Sequence, residues 1–486
     1  MTILSIRFFI FVFFLLFFYY LLPQKYQWPL LLLASFLFYL LAGTPFTSLF
    51  LFFSIVSTYW GGIFIGTNNK HKNLSFALTV LSNLGILIVL KYTDFIFSSL
   101  GFSLASSKFS FILPLGLSFY TFQVIGYITD VYRGLIPPEK NIGKYALFCC
   151  FFPQIISGPI GRFGELAPSL FSCKAYNIDN LKSGFIRLLY GYFKKIVISE
   201  RLSIFVDAVF GNYASYNSAS IFVGAVFYAL QLYTDFSGYM DIVLGISKML
   251  GISMAENFHS PFFSSTISEF WRRWHITLGS FLRDYLFFPL LKGKPFLWLS
   301  EKVKKKYGKK AGKKIPTYLA MFLLWFSVGL WHGPDWKYVF GVGIFQWVCI
   351  VFGELCSPLS KNIRTFKIYP LFCQVRTFLL ICFSFLFFRS DSFQDALFML
   401  QRCFSFSKGQ SALSIYAPWE GIALLLSIGI LFYLEIIGQK RDIWQQYLKK
   451  PAAIQYCIYY FLIFFIVIFG VYGLGFDSSA FTYANF

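Results

Sequence analysis

Charge is scarce in this 486-residue chain: 13% of positions carry Asp, Glu, Lys or Arg, and the acids number only 21. Histidine is scarcer, with four copies. A composition this poor in charge excludes an ordinary soluble globular protein. The alternating pattern of a β-barrel is missing, and no polar stretch is long enough to form a linker or a separate soluble domain. No repeat at a fixed period is evident, which weighs against a transporter built from duplicated halves. Nine Cys are scattered, several in apolar runs (Cys149, Cys150, Cys382), without metal-ligand spacing. They read as small buried hydrophobes, and no metal site is expected.

What is abundant is oil: 57% of residues are hydrophobic, and Phe alone occurs 66 times. Runs of about 20 apolar residues, enough for a ~30 Å hydrocarbon core, recur along the whole length. They fall near 4–22, 28–43, 46–65, 75–98, 112–130, 144–158, 182–208, 219–250, 316–332, 336–356, 370–388, 420–437 and 455–475. The expectation is an all-α polytopic membrane protein, with about 11–13 crossing or re-entrant helices in a single membrane-embedded unit over 1–486. The net charge of +21 does not point to nucleic acid. Its Lys and Arg cluster in short segments between apolar runs, as cytoplasmic loops do. The densest segment, Lys302–Lys314, holds eight Lys and no acid and reads as a cytoplasmic loop. The run Phe8–Leu22 has one preceding Arg7 and no cleavage site at Gln24-Lys25-Tyr26, so it reads as an uncleaved first span.

Polar residues inside spans are where function concentrates. Gln231, Thr234, Gly238, Asp241, Gly245 and Lys248 follow helical spacing down one face, as do Gln123, Gly126, Asp130 and Arg133. The small residues suit close helix packing. Asp235 and Asp241 need partners, and should hold Arg or His side chains around an interior cavity. Glu269–Tyr285 reads as one amphipathic helix: Phe270, Trp271, Trp274, Leu278, Phe281, Leu282 and Tyr285 share a face. Arg272, Arg273 and Arg283 lie opposite, and His275 sits on the border. Three Arg and one His on a helix that cannot face lipid suit a phosphate-bearing ligand. His332 follows the run Thr317–Trp331, whose 16-residue rise of about 24 Å places it deep in the membrane. Gly333-Pro334 then stops the helix, and broken backbone at that depth must be buried in protein or face water. With Asp335 adjacent, His332 reads as a cavity-lining functional imidazole, the side chain best suited to moving protons near neutral pH. His71, beside Lys70 and Lys72, reads as solvated, and His259 as part of a loop beside the amphipathic helix.

These motifs together resemble the membrane-bound O-acyltransferase superfamily, in its bacterial polysaccharide O-acetylating branch. The likeness is carried by Leu113-Pro114-Leu115-Gly116-Leu117-Ser118-Phe119-Tyr120, Tyr127-Ile128-Thr129-Asp130, Phe151-Phe152-Pro153-Gln154 with Ser157-Gly158-Pro159-Ile160-Gly161-Arg162, Tyr233-Thr234-Asp235-Phe236-Ser237-Gly238, Glu256-Asn257-Phe258, Trp271-Arg272-Arg273-Trp274-His275 and Leu330-Trp331-His332-Gly333. They span about 110–347, with flanks alike only in hydropathy. The resemblance implies a ring of helices around a tunnel, with His332 catalytic and His275 the second functional histidine. Asp235, Asp241, Gln123, Trp331 and Asp335 would support the tunnel. One departure stands out: related sequences commonly carry another Gly-adjacent His a dozen residues on, whereas Gly343–Trp347 offers only Gln346. That difference bears on acceptor choice or on support of His332.

The activity this implies is acyl transfer from acetyl-CoA, a substrate and not a resident cofactor, with Arg272, Arg273 and Arg283 on its phosphates. The acceptor is a hydroxyl of a cell-envelope or extracellular polysaccharide such as alginate or peptidoglycan, reached through a periplasmic partner of SGNH-hydrolase type. The location implied is the bacterial cytoplasmic (inner) membrane. Within the family the rival is D-alanyl transfer to teichoic acid from a carrier protein. Outside it the rival is a glycolipid transporter or flippase, with a catalytically dead scaffold a further alternative.

Overall fold

The computed structural model describes residues 1–67, 70–102, 113–357 and 365–472. Position 112 and positions 473–475, at the ends of two expected spans, lie outside the described residues. In chain order the helices are α1 (Ile6–Leu21), α2 (Gln27–Ala42), α3 (Pro45–Thr67), α4 (Lys72–Ser99), α5 (Leu117–Tyr132), α6 (Ile142–Cys150), α7 (Phe152–Ile155), α8 (Phe163–Phe171), α9 (Ile178–Tyr192), α10 (Glu200–Gly211), α11 (Ser218–Met249), α12 (Ile267–Arg273), α13 (Ile276–Leu282), α14 (Phe288–Lys292), α15 (Lys294–His332), α16 (Trp336–Tyr338), α17 (Phe345–Cys356), α18 (Tyr369–Arg389), α19 (Phe393–Phe404), α20 (Pro418–Gly438), α21 (Ile443–Leu448) and α22 (Ala452–Phe469). Among the described residues no strand forms, only isolated backbone bridges.

Nine helices among the described residues are long and apolar enough to cross a membrane, and the apolar α1 is shorter. Their outer faces carry large exposed side chains such as Phe13, Leu81, Phe352 and Ile468, which is stable only against lipid. The expected run 144–158 is not a span: the chain turns at Phe151 between α6 and the four-residue α7. Pro153 favours that turn, because proline suits the first turn of a helix, where its missing N–H costs nothing.

The Lys-rich segment is not a loop. It is a helical hairpin inside α15, whose two limbs meet at Gly308 with φ 86° and ψ 169°. Ser300 Oγ donates to the Gly312 carbonyl at 2.8 Å. A Cβ on Gly312 would stand 2.6 Å from Lys304 Cβ, so glycine is what lets the limbs touch. Lysine is a good helix former, which charge clustering alone does not register.

The centre of the bundle is the antiparallel pair α9–α11. A Cβ on Gly184 would lie 2.5 Å from the Gly245 carbonyl oxygen, and one on Gly191 would lie 2.6 Å from that of Gly238. Two glycines seven residues apart on each helix therefore bring the backbones into contact, as small residues do in membranes. α9 continues through a π-helical turn, Phe193–Ser199, into α10. The wider turn lets consecutive lysines both reach α11: Lys194 meets Asp241 at 2.8 Å, and Lys195 meets Asp235 at 2.5 Å.

Contacts between connections define the two ends of the bundle. Gln27–Lys174, Tyr132–Asn73, Arg133–Asp284 and Lys314–Glu354 gather one, the Lys-rich end. Asp207–Arg389, Tyr213–Asp395 and Lys337–Ser390 gather the opposite end. Changing Gly184 or Gly245 to Ala should overpack the crossing at a cost of about 1–3 kcal/mol, read as a lower thermal midpoint of the purified protein. Gly429→Ala, whose added Cβ meets nothing within 4 Å, should leave that midpoint unchanged.

Candidate functional site

The expected amphipathic helix Glu269–Tyr285 is two helices, α12 and α13, with His275 at the break. His275 adopts φ 48° and ψ 50°, a left-handed conformation that costs a non-glycine residue about 1–3 kcal/mol. The preceding segment imposes the break by pairing with the chain there. Phe258 bridges Trp274, His259 N donates to the Arg273 carbonyl at 2.9 Å, and Ile276 N donates to the Asn257 carbonyl at 3.0 Å. Periodicity cannot register such pairing, because the residues facing the core keep helical spacing on both sides of the break.

Asn257 organises this corner. Its Oδ1 accepts from Thr277 N at 3.0 Å and from Thr277 Oγ1 at 2.9 Å. Nδ2 and Oδ1 lie 3.2 and 3.3 Å from His275 Nδ1, and with Oδ1 already engaged by Thr277 the Nδ2–H is the group that bonds the ring. Assigned from this network, Nδ1 accepts and the neutral ring carries its proton on Nε2. Thr277 Oγ1 also accepts from Ile160 N at 3.1 Å, tying the Pro159–Arg162 segment to the same corner.

The Trp331 ring meets both imidazoles edge-on, 5.5 Å from that of His275 and 5.0 Å from that of His332. Phe119 packs on the same indole at 5.4 Å, and Trp331 Nε1 is buried without a hydrogen-bond partner among the described residues. His332 closes α15, is 1% exposed, and lies 4.8 Å from the Phe388 ring. Gly333 is extended, and a Cβ there would stand 2.4 Å from Tyr338 Cε2. Glycine is therefore required at this exit by packing and not by its dihedral angles.

Beside Asn257 and Ile276 a cavity of about 680 Å³ opens toward the Lys-rich end. Ser237, Asn257 and Ile276 are in its wall, with Arg187, Lys194, Arg272, Arg273, His259, Lys440 and Arg441. Asp241 takes Arg187 Nε at 2.9 Å and Lys194 at 2.8 Å, and Glu256 takes the other end of Arg187 at 2.6 Å. Lys194 also sits over the rings of Tyr190 and Tyr233, at 4.5 and 5.5 Å. Cations thus outnumber acids around a partly enclosed space, which suits an anion carrying several phosphates.

Arg272 and Arg273 reach this cavity. Arg283 does not: it pairs with Asp284 at 2.9 Å, in a separate cluster with Arg162. There burial opposes ionisation, yet hydrogen bonds from Arg283 and Arg162 hold the Asp284 carboxyl below its ordinary value. Asp241 holds cavity cations as expected, and Asp235 holds the fully enclosed Lys195. Gln123 and Asp335 face backbone instead: Gln123 donates to the Phe148 carbonyl at 2.5 Å, and Asp335 caps α16. Neither His275 nor His332 is in the cavity wall. Gln346, buried, accepts from Trp271 Nε1 at 3.1 Å. His71 is exposed, and His259 lies in the loop as read from sequence.

The pattern reading passed over Arg187, Lys194 and Lys195, although cations within the run 182–208 were a signal, since charge inside a span needs a partner. It also passed over Lys91, whose Nζ donates to the Trp331 carbonyl at 2.8 Å. A lone lysine in an oily run reads as a snorkelling one.

A family model described as "MBOAT, membrane-bound O-acyltransferase family" matches residues 139–393. The probable alginate O-acetylase AlgI of Pseudomonas syringae pv. tomato is 34% identical over 438 residues, 88% of this chain and 79% of that protein. The peptidoglycan O-acetyltransferase of Helicobacter pylori is 30% identical over 401 residues, 76% of this chain and 72% of that protein. A teichoic acid D-alanyltransferase of Bacillus subtilis is 28% identical over 288 residues, 57% of this chain and 69% of that protein.

Asp241→Ala strands the buried Lys194 and leaves Arg187 with Glu256 alone, and breaking a buried pair in this way costs about 3–5 kcal/mol. The thermal midpoint should fall accordingly, and adding Lys194→Met should restore part of the loss.

Proposed function

The chain belongs to the membrane-bound O-acyltransferase family, and on that premise we propose that it moves an acetyl group from acetyl-CoA to a hydroxyl of a cell-envelope or extracellular polysaccharide. The observation that carries the reading is that one indole, Trp331, meets both His275 and His332 edge-on. The first imidazole is bonded to Asn257 and followed by Ile276, both in the wall of the basic cavity at the Lys-rich end, and the second closes α15. Lys and Arg cluster on the cytoplasmic side of membrane proteins, so the Lys-rich end is cytoplasmic and the cavity meets the cytosolic donor. The membrane is then the bacterial inner membrane.

Arg272 and Arg273, with Arg187 and Lys194 behind them, take the phosphates of the donor. A cavity of about 680 Å³ has the size of a small-molecule site. The thioester end points past Asn257 toward His275, whose Nε2–H donates to the carbonyl oxygen as negative charge develops there. His332 accepts the proton of the attacking hydroxyl, an effect worth roughly 10²–10⁴-fold. The new C–O bond forms, the C–S bond breaks, and the proton passes to the departing CoA thiolate.

An acceptor entering at the far end is either the glycan itself or a periplasmic partner of SGNH-hydrolase type that carries the acetyl group onward. The longer alignments with the alginate and peptidoglycan O-acetylating proteins favour acetyl over D-alanyl transfer.

In purified, lipid-reconstituted protein, His332→Ala should abolish acetyl transfer at normal protein level, and retained transfer would refute the assignment. The double change Arg272→Ala with Arg273→Ala should raise the KM for acetyl-CoA about tenfold or more, each tenfold being about 1.4 kcal/mol, with kcat little altered.

A further inference from the structure

The helix that carries His332 ends abruptly inside the protein, and its last carbonyls cannot be satisfied within the helix. Gly333 N reaches back to the Leu330 carbonyl at 3.2 Å. The other partners come from a helix more than 200 residues away in sequence. Tyr92 OH donates to the Leu330 carbonyl at 2.9 Å, and Lys91 Nζ donates to the Trp331 carbonyl at 2.8 Å. Consecutive residues of α4 thus take the two carbonyls that directly precede His332.

Lys91 is an unusual residue for that place. Its side chain is buried, it makes no ion pair among the described residues, and its one further hydrogen bond is to Ser118 Oγ at 3.4 Å. An unpaired ammonium at membrane depth is costly. What compensates it is the negative C-terminal end of α15, with the rings of Tyr92 and Trp331 at 5.9 and 6.0 Å from Nζ. The dependence is mutual: Lys91 is tolerable only where α15 stops, and α15 can stop there only if donors of this kind meet it.

We infer that Lys91 and Tyr92 are positioning residues, a two-donor clamp from α4 that sets the depth and orientation of Trp331 and His332 at the end of α15. Neither touches the reacting atoms in this arrangement. The clamp holds the backbone that carries the imidazole, so that Nε2 meets the hydroxyl at hydrogen-bond distance, where a misplacement of about 1 Å can cost 10²-fold. The inference rests on the reading of His332 as the base.

The experiment uses full-length protein in lipid nanodiscs, comparing Tyr92→Phe, Lys91→Met, Lys91→Arg and His332→Ala for acetyl-CoA turnover and thermal midpoint. Tyr92→Phe keeps the ring and removes only the hydroxyl, so it tests the clamp even if Lys91→Met folds poorly. The clamp predicts a kcat loss of about tenfold for Tyr92→Phe and more for Lys91→Met. The KM for acetyl-CoA should stay within about twofold, because the basic cavity lies elsewhere, and Lys91→Arg, still a donor, should recover much of kcat. Wild-type kcat in both Tyr92→Phe and Lys91→Met, with His332→Ala inactive, overturns the clamp alone. Losses that track the thermal midpoint without rescue by Arg also overturn it, by reducing the pair to structural support. Turnover in His332→Ala overturns the base assignment instead.

Discussion

Two helices touch backbone to backbone at the middle of this protein, and a carboxylate is caught at the crossing. Gly184 and Gly191 on α9 meet Gly245 and Gly238 on α11, with Asp241 between the two α11 glycines. Their proximity is what lets one carboxylate hold both Arg187 and Lys194. In lipid no water is available to solvate a stray charge, so Arg187 and Lys194 are held together in the cavity wall because the glycines let Asp241 come within reach. Bulkier residues at the crossing would separate the helices and take Asp241 away from Lys194 and Arg187.

The same demand for internal satisfaction shapes the two imidazoles. His275 stands at a left-handed break that an ordinary helix would not make, held by the backbone pairing of residues 257–259 and by the Asn257 side chain. His332 stands at a helix end whose carbonyls are met by α4. In both places regular structure is interrupted at depth, and neighbouring segments replace the lost hydrogen bonds. That replacement fixes the imidazoles more tightly than a mid-helix position would, which suits groups that must hold a proton in a set direction.

Much of the fold was legible in the residues. Among the described residues most of the expected runs contain a long apolar helix, the run 144–158 being an exception, because a ~30 Å apolar layer dictates the length and composition of what crosses it. The packing role of Gly238 and Gly245 and the partner demand of Asp241 followed from elementary costs in a membrane. Less legible were features that depend on a distant segment. The break at His275 is caused by residues 257–259, the helical state of the Lys-rich segment by contact between its two limbs, and the separation of Arg283 from Arg272 and Arg273 by that same break. Gln123 and Asp335 sat on the right stripes and beside the right motif, yet the nearest acceptor or donor for each proved to be backbone.

The residue pattern alone determined that the chain lives in a membrane as a helical bundle, and it singled out two histidines with aromatic and basic neighbours as the candidate site. Hydropathy and the scarcity of charge are local properties, readable without knowing what lies opposite. Tertiary structure alone decided that Trp331 packs against both imidazoles, which arginines face the cavity, and that Lys91 and Tyr92 meet the end of α15. Each of those is a contact between segments far apart in the chain, and a contact is a property of two positions that neither carries by itself.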